Sequence, residues 1–263
     1  MNSKKLFSLL IKKSLRIVKG KFSIIGKPFY NYSVLLFYNP IEHLIFLFSK
    51  RIVYEENIQK KLPKYIKEGD FVLDIGANIG QYALLFSQLV SVNGRVISYE
   101  PDNDNFAYLS FNKYKNNLTN LTLQNKGIGK SIGKLKLYID DVTGGRMNSM
   151  RSDLSVSNKT IEVDVDTLSN IFEKNGIPDF IKIDVEGYEI EVLSSISDEK
   201  LKNNTSKWLI EVREDTKVQI FEKFKQANFT CFSMDDVQEI QINNASEIAK
   251  FANLLMIPNK ALS

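Results

Sequence analysis

A chain of 263 residues, 43% hydrophobic and 25% charged, has the makeup of a folded globular protein with room for one large α/β domain and an extension. Its one cysteine, Cys231, excludes an intrachain disulfide and any cysteine-cluster metal site, and its one histidine, His43, lies in an apolar run remote from every motif below. The net charge of +4 hides an asymmetry, because residues 1–54 hold ten Lys/Arg against the single Glu42, a balance of +9 that leaves −5 for the remainder.

The first stretch reads as an amphipathic helix. Phe7, Leu10, Ile11, Leu15 and Val18 share one face, with Lys5, Lys12, Arg16 and Lys19 opposite. Lys12 and Lys13 interrupt the apolar run too early for a signal peptide. The apolar face is expected to dock on the domain or on a second copy of the chain, giving a homo-oligomer. Its sharper reading is peripheral contact of residues 1–25 with an anionic membrane surface. Neither Val34–Tyr38 nor Leu44–Phe48 approaches the ~20 apolar residues of a bilayer span. We therefore expect a basic, mainly helical extension over 1–54, a main domain over 55–263, and a cytoplasmic location, peripheral at most to the inner membrane face.

From Glu55 the pattern alternates. A helix over Glu55–Ile66 ends at Gly69-Asp70, and Phe71–Ile75 is an apolar run of the kind buried on both faces of a sheet. Helix Ile79–Val90, strand Arg95–Tyr99, helix Asn103–Tyr114 and strand Leu121–Gln124 follow. A hairpin is expected over Ile128–Ile139, then a glycine-rich loop and a strand over Thr160–Val165. Helix Thr167–Lys174, strand Asp179–Asp184, helix Tyr188–Ser195, strand Lys207–Val212, helix Lys217–Gln226 and two terminal strands, the last near Phe251–Ile257, complete the chain. Such alternation predicts a mostly parallel, doubly wound sheet covered on both sides.

The strongest local signal is Phe71-Val-Leu-Asp-Ile-Gly-Ala-Asn-Ile-Gly80. A buried strand ends at Asp74, turns through Gly76 and enters a helix near Gly80, where ligands of doubly wound sheets sit. The spacing Gly-x-x-x-Gly departs from the Gly-x-Gly-x-x-Gly that cradles a dinucleotide pyrophosphate, which argues against a nicotinamide oxidoreductase. Asp74 at that rim would repel phosphate and suit a cationic nucleoside. Glu100 closes the next strand 20 residues beyond Gly80, placed to accept hydrogen bonds from ribose hydroxyls, and Pro101 stops the strand.

Four segments together resemble the FkbM family: Asp-Ile-Gly-Ala-Asn-Ile-Gly (74–80), Tyr-Glu-Pro (99–101), Asn-Lys-Gly-Ile-Gly (125–129) and Ile-Lys-Ile-Asp-Val-Glu-Gly-Tyr-Glu (181–189). The resemblance covers roughly residues 55–257. It implies an α/β, Rossmann-like class I fold with an antiparallel C-terminal strand, and an S-adenosylmethionine-dependent methyltransferase acting on hydroxyls of sugars or polyketides. Cofactor contacts are then expected from Asp74, Gly76, Ala77, Asn78, Gly80, Glu100, Pro101 and Asp184, with Asn125, Lys126 and Gly127 near the adenine. The acceptor it implies is a sugar or nucleotide-activated sugar in surface polysaccharide assembly. Nucleic acid is not expected.

At the reacting end, alternation puts Lys182 and Asp184 on one strand face, and a buried lysine and carboxylate are costly unless paired or used. Asp184 is the first choice of base for the acceptor hydroxyl, with Glu186 and Glu211 behind it and Lys182 as partner. Glu186 could equally sit at the next helix N-terminus for its dipole. A metal alternative stays open: Asp184 and Glu211, with Glu186, could hold Mg²⁺ or Mn²⁺. The loop 144–151 is read as the acceptor loop through Arg146, Asn148 and Ser149, with Arg146 or Arg151 on a phosphate. A silent scaffold that merely keeps the fold is the non-enzymatic alternative.

Overall fold

The computed structural model describes residues 24–29, 32–39, 50–139, 148–154 and 159–262. Two short strands come first, β1 (Ile25–Pro28) and β2 (Leu35–Tyr38), paired antiparallel. Then follow α1 (Glu56–Tyr65), β3 (Phe71–Ile75), α2 (Gln81–Val90), β4 (Arg95–Tyr99), α3 (Asn103–Lys115) and β5 (Leu121–Gln124). The second half holds β6 (Gly127–Ile128), β7 (Gly133–Tyr138), β8 (Thr160–Asp166), α4 (Leu168–Asn175), β9 (Phe180–Ile183), α5 (Glu189–Leu193), α6 (Asp198–Lys202) and β10 (Lys207–Arg213). Helix α7 (Lys217–Gln226) and strands β11 (Phe229–Ser233), β12 (Ile240–Ile242) and β13 (Phe251–Pro258) end it.

Eight strands form the main sheet in the order β12-β11-β13-β10-β9-β3-β4-β5. The run from β10 to β5 is parallel, and β13 inserts antiparallel between β10 and β11. Side chains along each strand alternate between two cores. Val72, Phe180, Leu209 and Leu255 pack under α1, α2 and α3, whereas Leu73, Ile181, Trp208 and Ile210 pack against α4, α5 and α7. This is the expected α/β sandwich of helices on a doubly wound sheet.

Toward the carboxyl end, the first face changes character. Register pairs Asp74 with Ser98 on β4 and with Lys182 on β9, and Glu211 with Asn253 on β13. By strand parity these residues share the face of Val72, Phe180 and Leu209. A polar row thus replaces the core at one end of that face. Strand order reverses between β3 and β9, so a crevice opens there, at the topological switch point.

Three expectations need correction. Where helix was expected, Ile25–Pro28 and Leu35–Tyr38 are paired strands, and they share the core of the main domain: Phe29, Val34, Leu36, Tyr38 and Ile52 pack with Ile58, Leu62 and Phe86. The hairpin is fastened by α3. Asn112 Oδ1 accepts from Phe37 N–H at 2.6 Å while its Nδ2 donates to the carbonyls of Phe37 (2.9 Å) and Ile79 (2.8 Å), and Asn116 repeats the arrangement on Leu35 one turn on. Boundary 54 therefore does not separate two packing units among the described residues. The amphipathic segment of residues 1–23 and His43 lie outside them.

The expected hairpin over Ile128–Ile139 is absent as such. Strands β6 and β7 lie on opposite edges of β8, β6 parallel and β7 antiparallel, in a separate three-stranded sheet. Leu137 and Ile139 are buried with Val163 and Val165, whereas Leu135 is exposed, and alternation specifies a face but not a pairing partner. Lastly, the C-terminal region contains three strands rather than two, and the short helix α6 was not anticipated, being too brief for a periodic signal.

Candidate active site

The crevice at the switch point is a cleft of about 390 Å³. Its first wall is the turn after β3. Gly76 has φ +82°, and a Cβ there would fall 1.8 Å from the Asp184 carbonyl oxygen. Glycine is thus required by the closeness of the β9 end. Gly80, φ +106°, is needed for packing on Leu109 Cδ1, 2.9 Å from a built Cβ, and does not face the cleft. Ala77 and Asn78 do line it, Asn78 in the left-handed region at φ 52°.

Glu100 sits at the end of β4, where Pro101 stops the strand and Asp102 caps α3 by accepting from Asn105 N–H. The Glu100 carboxylate accepts from Asn78 N–H at 2.8 Å and from Asp102 N–H at 2.9 Å, tying the two turns together. Burial pushes its carboxyl up to about 7, against the pull of those backbone donors. Asn125 donates to the carbonyls of Glu100 and Pro101 and stands behind the wall, whereas Pro101, Lys126 and Gly127 line it. Ile128, Leu137 and Met150 add an apolar slot.

Asp74 is elsewhere than expected. It is fully buried and does not line the cleft. Its Oδ2 accepts from Ser98 Oγ at 3.2 Å, and its buried Oδ1 has no hydrogen-bond partner among the described residues. Burial raises its carboxyl to about 6, and the nearby Lys182 charge limits the rise. Asp74 shares its sheet face with Lys182, its register partner on β9, but is buried beneath the residues that line the cleft.

Part of the cleft lining is acidic. Asp184, Glu186 and Glu211 bring one carboxylate oxygen each within 4.8 Å of one another, and all three line the cleft. Lys182, buried on the floor, donates to Asp184 Oδ2 at 2.9 Å and lies over the Tyr82 ring, 4.7 Å from its centroid. Burial would lower the lysine, but Asp184 and Asp74 outweigh it and raise it, so it stays charged. Glu211 is raised far above the carboxylate range, first by the Asp184 charge, then by burial and Glu186. Glu186 is raised by burial and then by Asp184, against Arg213. Like charges this close cannot all ionise, so the cluster has a high affinity for a proton or another cation.

The turn 185–187 is fixed from below. Glu186 lies in the left-handed region, φ 54°, and pairs with Arg213 at 3.2 Å. It does not cap α5. Glu189, wholly buried, accepts from the N–H groups of Val185 (3.2 Å) and Gly187 (3.0 Å) instead. Of the acceptor-loop residues, Asn148 lines the cleft, whereas Ser149 turns inward and donates to the Glu186 carbonyl at 2.8 Å. Arg151 is engaged by Asp153 and Asp215, each at 2.6 Å. Arg146 lies outside the described residues. Sequence reasoning missed Tyr54, Tyr82 and Arg213, none of which sits in a recognisable motif.

A family model, the methyltransferase FkbM domain, matches residues 74–245, which span the glycine turn, Glu100 and all three cluster carboxylates. The chain belongs to the FkbM family. Among curated proteins it is similar to the hexuronic acid methyltransferase AglP of Haloferax volcanii, 28% identical over 143 residues, which are 54% of this chain and 56% of that protein. The chain thus matches little more than half the length of this curated relative. Solved structures overlap it loosely. A precorrin-6y C5,15-methyltransferase of Geobacter metallireducens is 12% identical with a TM-score of 0.47, covering 79% of this chain and 92% of that one. An SAM-dependent O-methyltransferase of Thermotoga maritima is 13% identical with a TM-score of 0.44, covering 85% and 73%.

Proposed function

We propose that the protein transfers a methyl group from S-adenosylmethionine to a hydroxyl of a sugar, in a glycan or a nucleotide-activated precursor. One observation carries this reading: a single cleft joins the turn of Gly76, Ala77 and Asn78 and the Glu100 rim to a three-carboxylate cluster. The residues fit a cationic nucleoside. Glu100 would accept from the ribose hydroxyls, Ile128, Leu137 and Met150 would flank the purine, and the acidic floor favours positive charge. When bound, the sulfonium supplies an already activated methyl group. The protein's task is then to align the acceptor oxygen and remove its proton. Asp184, anchored by Lys182, accepts the hydroxyl proton, and Glu186 and Glu211, whose raised proton affinity keeps their own protons in place, lie beside it. The sugar class follows the similarity to a hexuronic acid methyltransferase, and surface polysaccharide assembly is the setting we infer.

The test is calorimetry with S-adenosylmethionine and NAD, followed by labelled methyl transfer to a sugar panel. Binding of the sulfonium ligand and transfer abolished by Asp184→Asn are expected. Tight NAD binding alone, or no transfer by any protein to any sugar, would refute it.

A second reading is favoured by the mutual closeness of the three carboxylates. Such hard oxygen donors fit Mg²⁺ or Mn²⁺, which would bind and acidify vicinal hydroxyls. Activity that survives chelation supports the base reading, and activity lost to chelation and restored by Mg²⁺ supports the cation. Among the described residues no helix is long and apolar enough to cross a membrane. We place the enzyme in the cytoplasm, drawn to anionic lipid by residues 1–25; vesicle co-sedimentation unchanged by deleting that segment would remove the lipid contact.

A further inference from the structure

The acidic end of the cleft is not built by the matched family domain alone. Tyr54 and Glu55 precede α1, outside residues 74–245, yet Tyr54 lines the cleft. Its ring meets the Tyr82 ring edge-on, with centroids 6.4 Å apart and planes at 81°. Tyr54 lies within electrostatic reach of Glu55, Asp184, Glu211 and Glu186, and burial with those charges raises its phenol, so the hydroxyl keeps its proton and can donate.

What sets Tyr54 there is the residue beside it. Glu55 adopts φ 47°, in the left-handed region, immediately before α1, so the chain bends sharply at that point. Its carboxylate accepts from the Tyr82 hydroxyl, and the Tyr82 ring in turn supports the Lys182 ammonium. Extension, α2 and β9 are thus joined in one chain of contacts, Glu55 to Tyr82 to Lys182 to Asp184, with Tyr54 on its cleft side. An aromatic ring with a donor hydroxyl, lining one cleft with carboxyl groups that can accept from hydroxyls, matches a ligand with both an apolar face and adjacent OH groups.

We propose that Tyr54 is a specificity-determining residue of the acceptor end and selects a pyranose with free vicinal hydroxyls. The inference rests on the methyltransferase reading above and deepens it. Methyl glycosides of glucose and glucuronic acid, and the uridine diphosphate esters of both sugars, are the probes. Saturation-transfer NMR reads pyranose binding, and calorimetry reads S-adenosylmethionine on the same full-length samples.

Wild type should contact the pyranose ring protons. Tyr54→Phe should weaken that binding about three- to tenfold, the worth of one hydrogen bond, and Tyr54→Ala, which also removes the ring, should weaken it further. S-adenosylmethionine affinity should stay within about twofold in both variants, because Tyr54 makes no contact expected of that ligand. Should Tyr54→Ala fail to fold, Tyr54→Phe, which keeps the ring, still decides the matter. Unchanged pyranose binding in Tyr54→Phe overturns the proposal. So does a loss confined to S-adenosylmethionine, or a wild type that binds the nucleoside but none of the pyranoses. Failure of the methyltransferase reading itself shows differently, as wild type that binds no S-adenosylmethionine.

Discussion

Replacing Asp74 with asparagine separates the role expected from the motif from the one its position allows. Its carboxyl rises from an ordinary 3.8 to about 6, chiefly through burial. An acid that binds its proton more tightly when folded loses stability as pH rises between those two values and regains none above them. At about 1.4 kcal/mol per pH unit, the ionised side chain costs the native state about 3 kcal/mol above pH 6. Asparagine mimics the protonated form. Asp74→Asn should therefore match wild type near pH 4 and exceed it by up to about 3 kcal/mol near pH 8. Urea unfolding of both proteins across that range measures the difference. Because Asp74 lies beneath the cleft floor rather than along it, calorimetry should show S-adenosylmethionine affinity changed by less than about threefold, under 1 kcal/mol. A variant that is less stable by the same amount at every pH, or that binds the nucleoside a hundredfold more weakly, would refute this account and restore Asp74 to the ligand.

Asn112→Ala should cost about 3 kcal/mol in urea unfolding, since it orphans the Phe37 N–H and the carbonyls of Phe37 and Ile79; a loss below about 1 kcal/mol would mean that the hairpin is held by apolar packing alone. Gly76→Ala should lower stability by at least about 3 kcal/mol in the same assay, from its positive φ and the collision with the Asp184 carbonyl. Wild-type stability there would show that β3 and β9 are further apart than described. Glu100→Ala should weaken S-adenosylmethionine binding about tenfold or more in calorimetry, as expected for lost hydrogen bonds to a carboxylate. Unchanged affinity would take the ribose from that rim.

Strand and helix order was legible because each element carries its own periodicity. Arg95–Tyr99, Leu121–Gln124 and Lys217–Gln226 fall where the patterns put them. Pairing was not legible. Ile128–Ile139 reads as a hairpin from Gly129, Gly133 and the alternation that follows, but β8 inserts between β6 and β7. The basic composition of residues 1–54 likewise masked a strand pair, whose anchors Asn112 and Asn116 look like ordinary surface residues of a helix.

By itself the sequence determined the alternating α/β architecture, the glycine turn after β3, the Glu100 rim and the carboxylates of Lys182–Glu186 and Glu211, because all of these follow from local pattern and spacing. Only the tertiary structure decided which of them meet. Burial put Asp74 beneath the residues that line the cleft, side-chain partners engaged Ser149 and Arg151, and the fold brought Tyr54 into one cleft with a cluster more than a hundred residues away in the chain. The physical reason is that facing and proximity depend on register between distant segments. No local preference encodes that register.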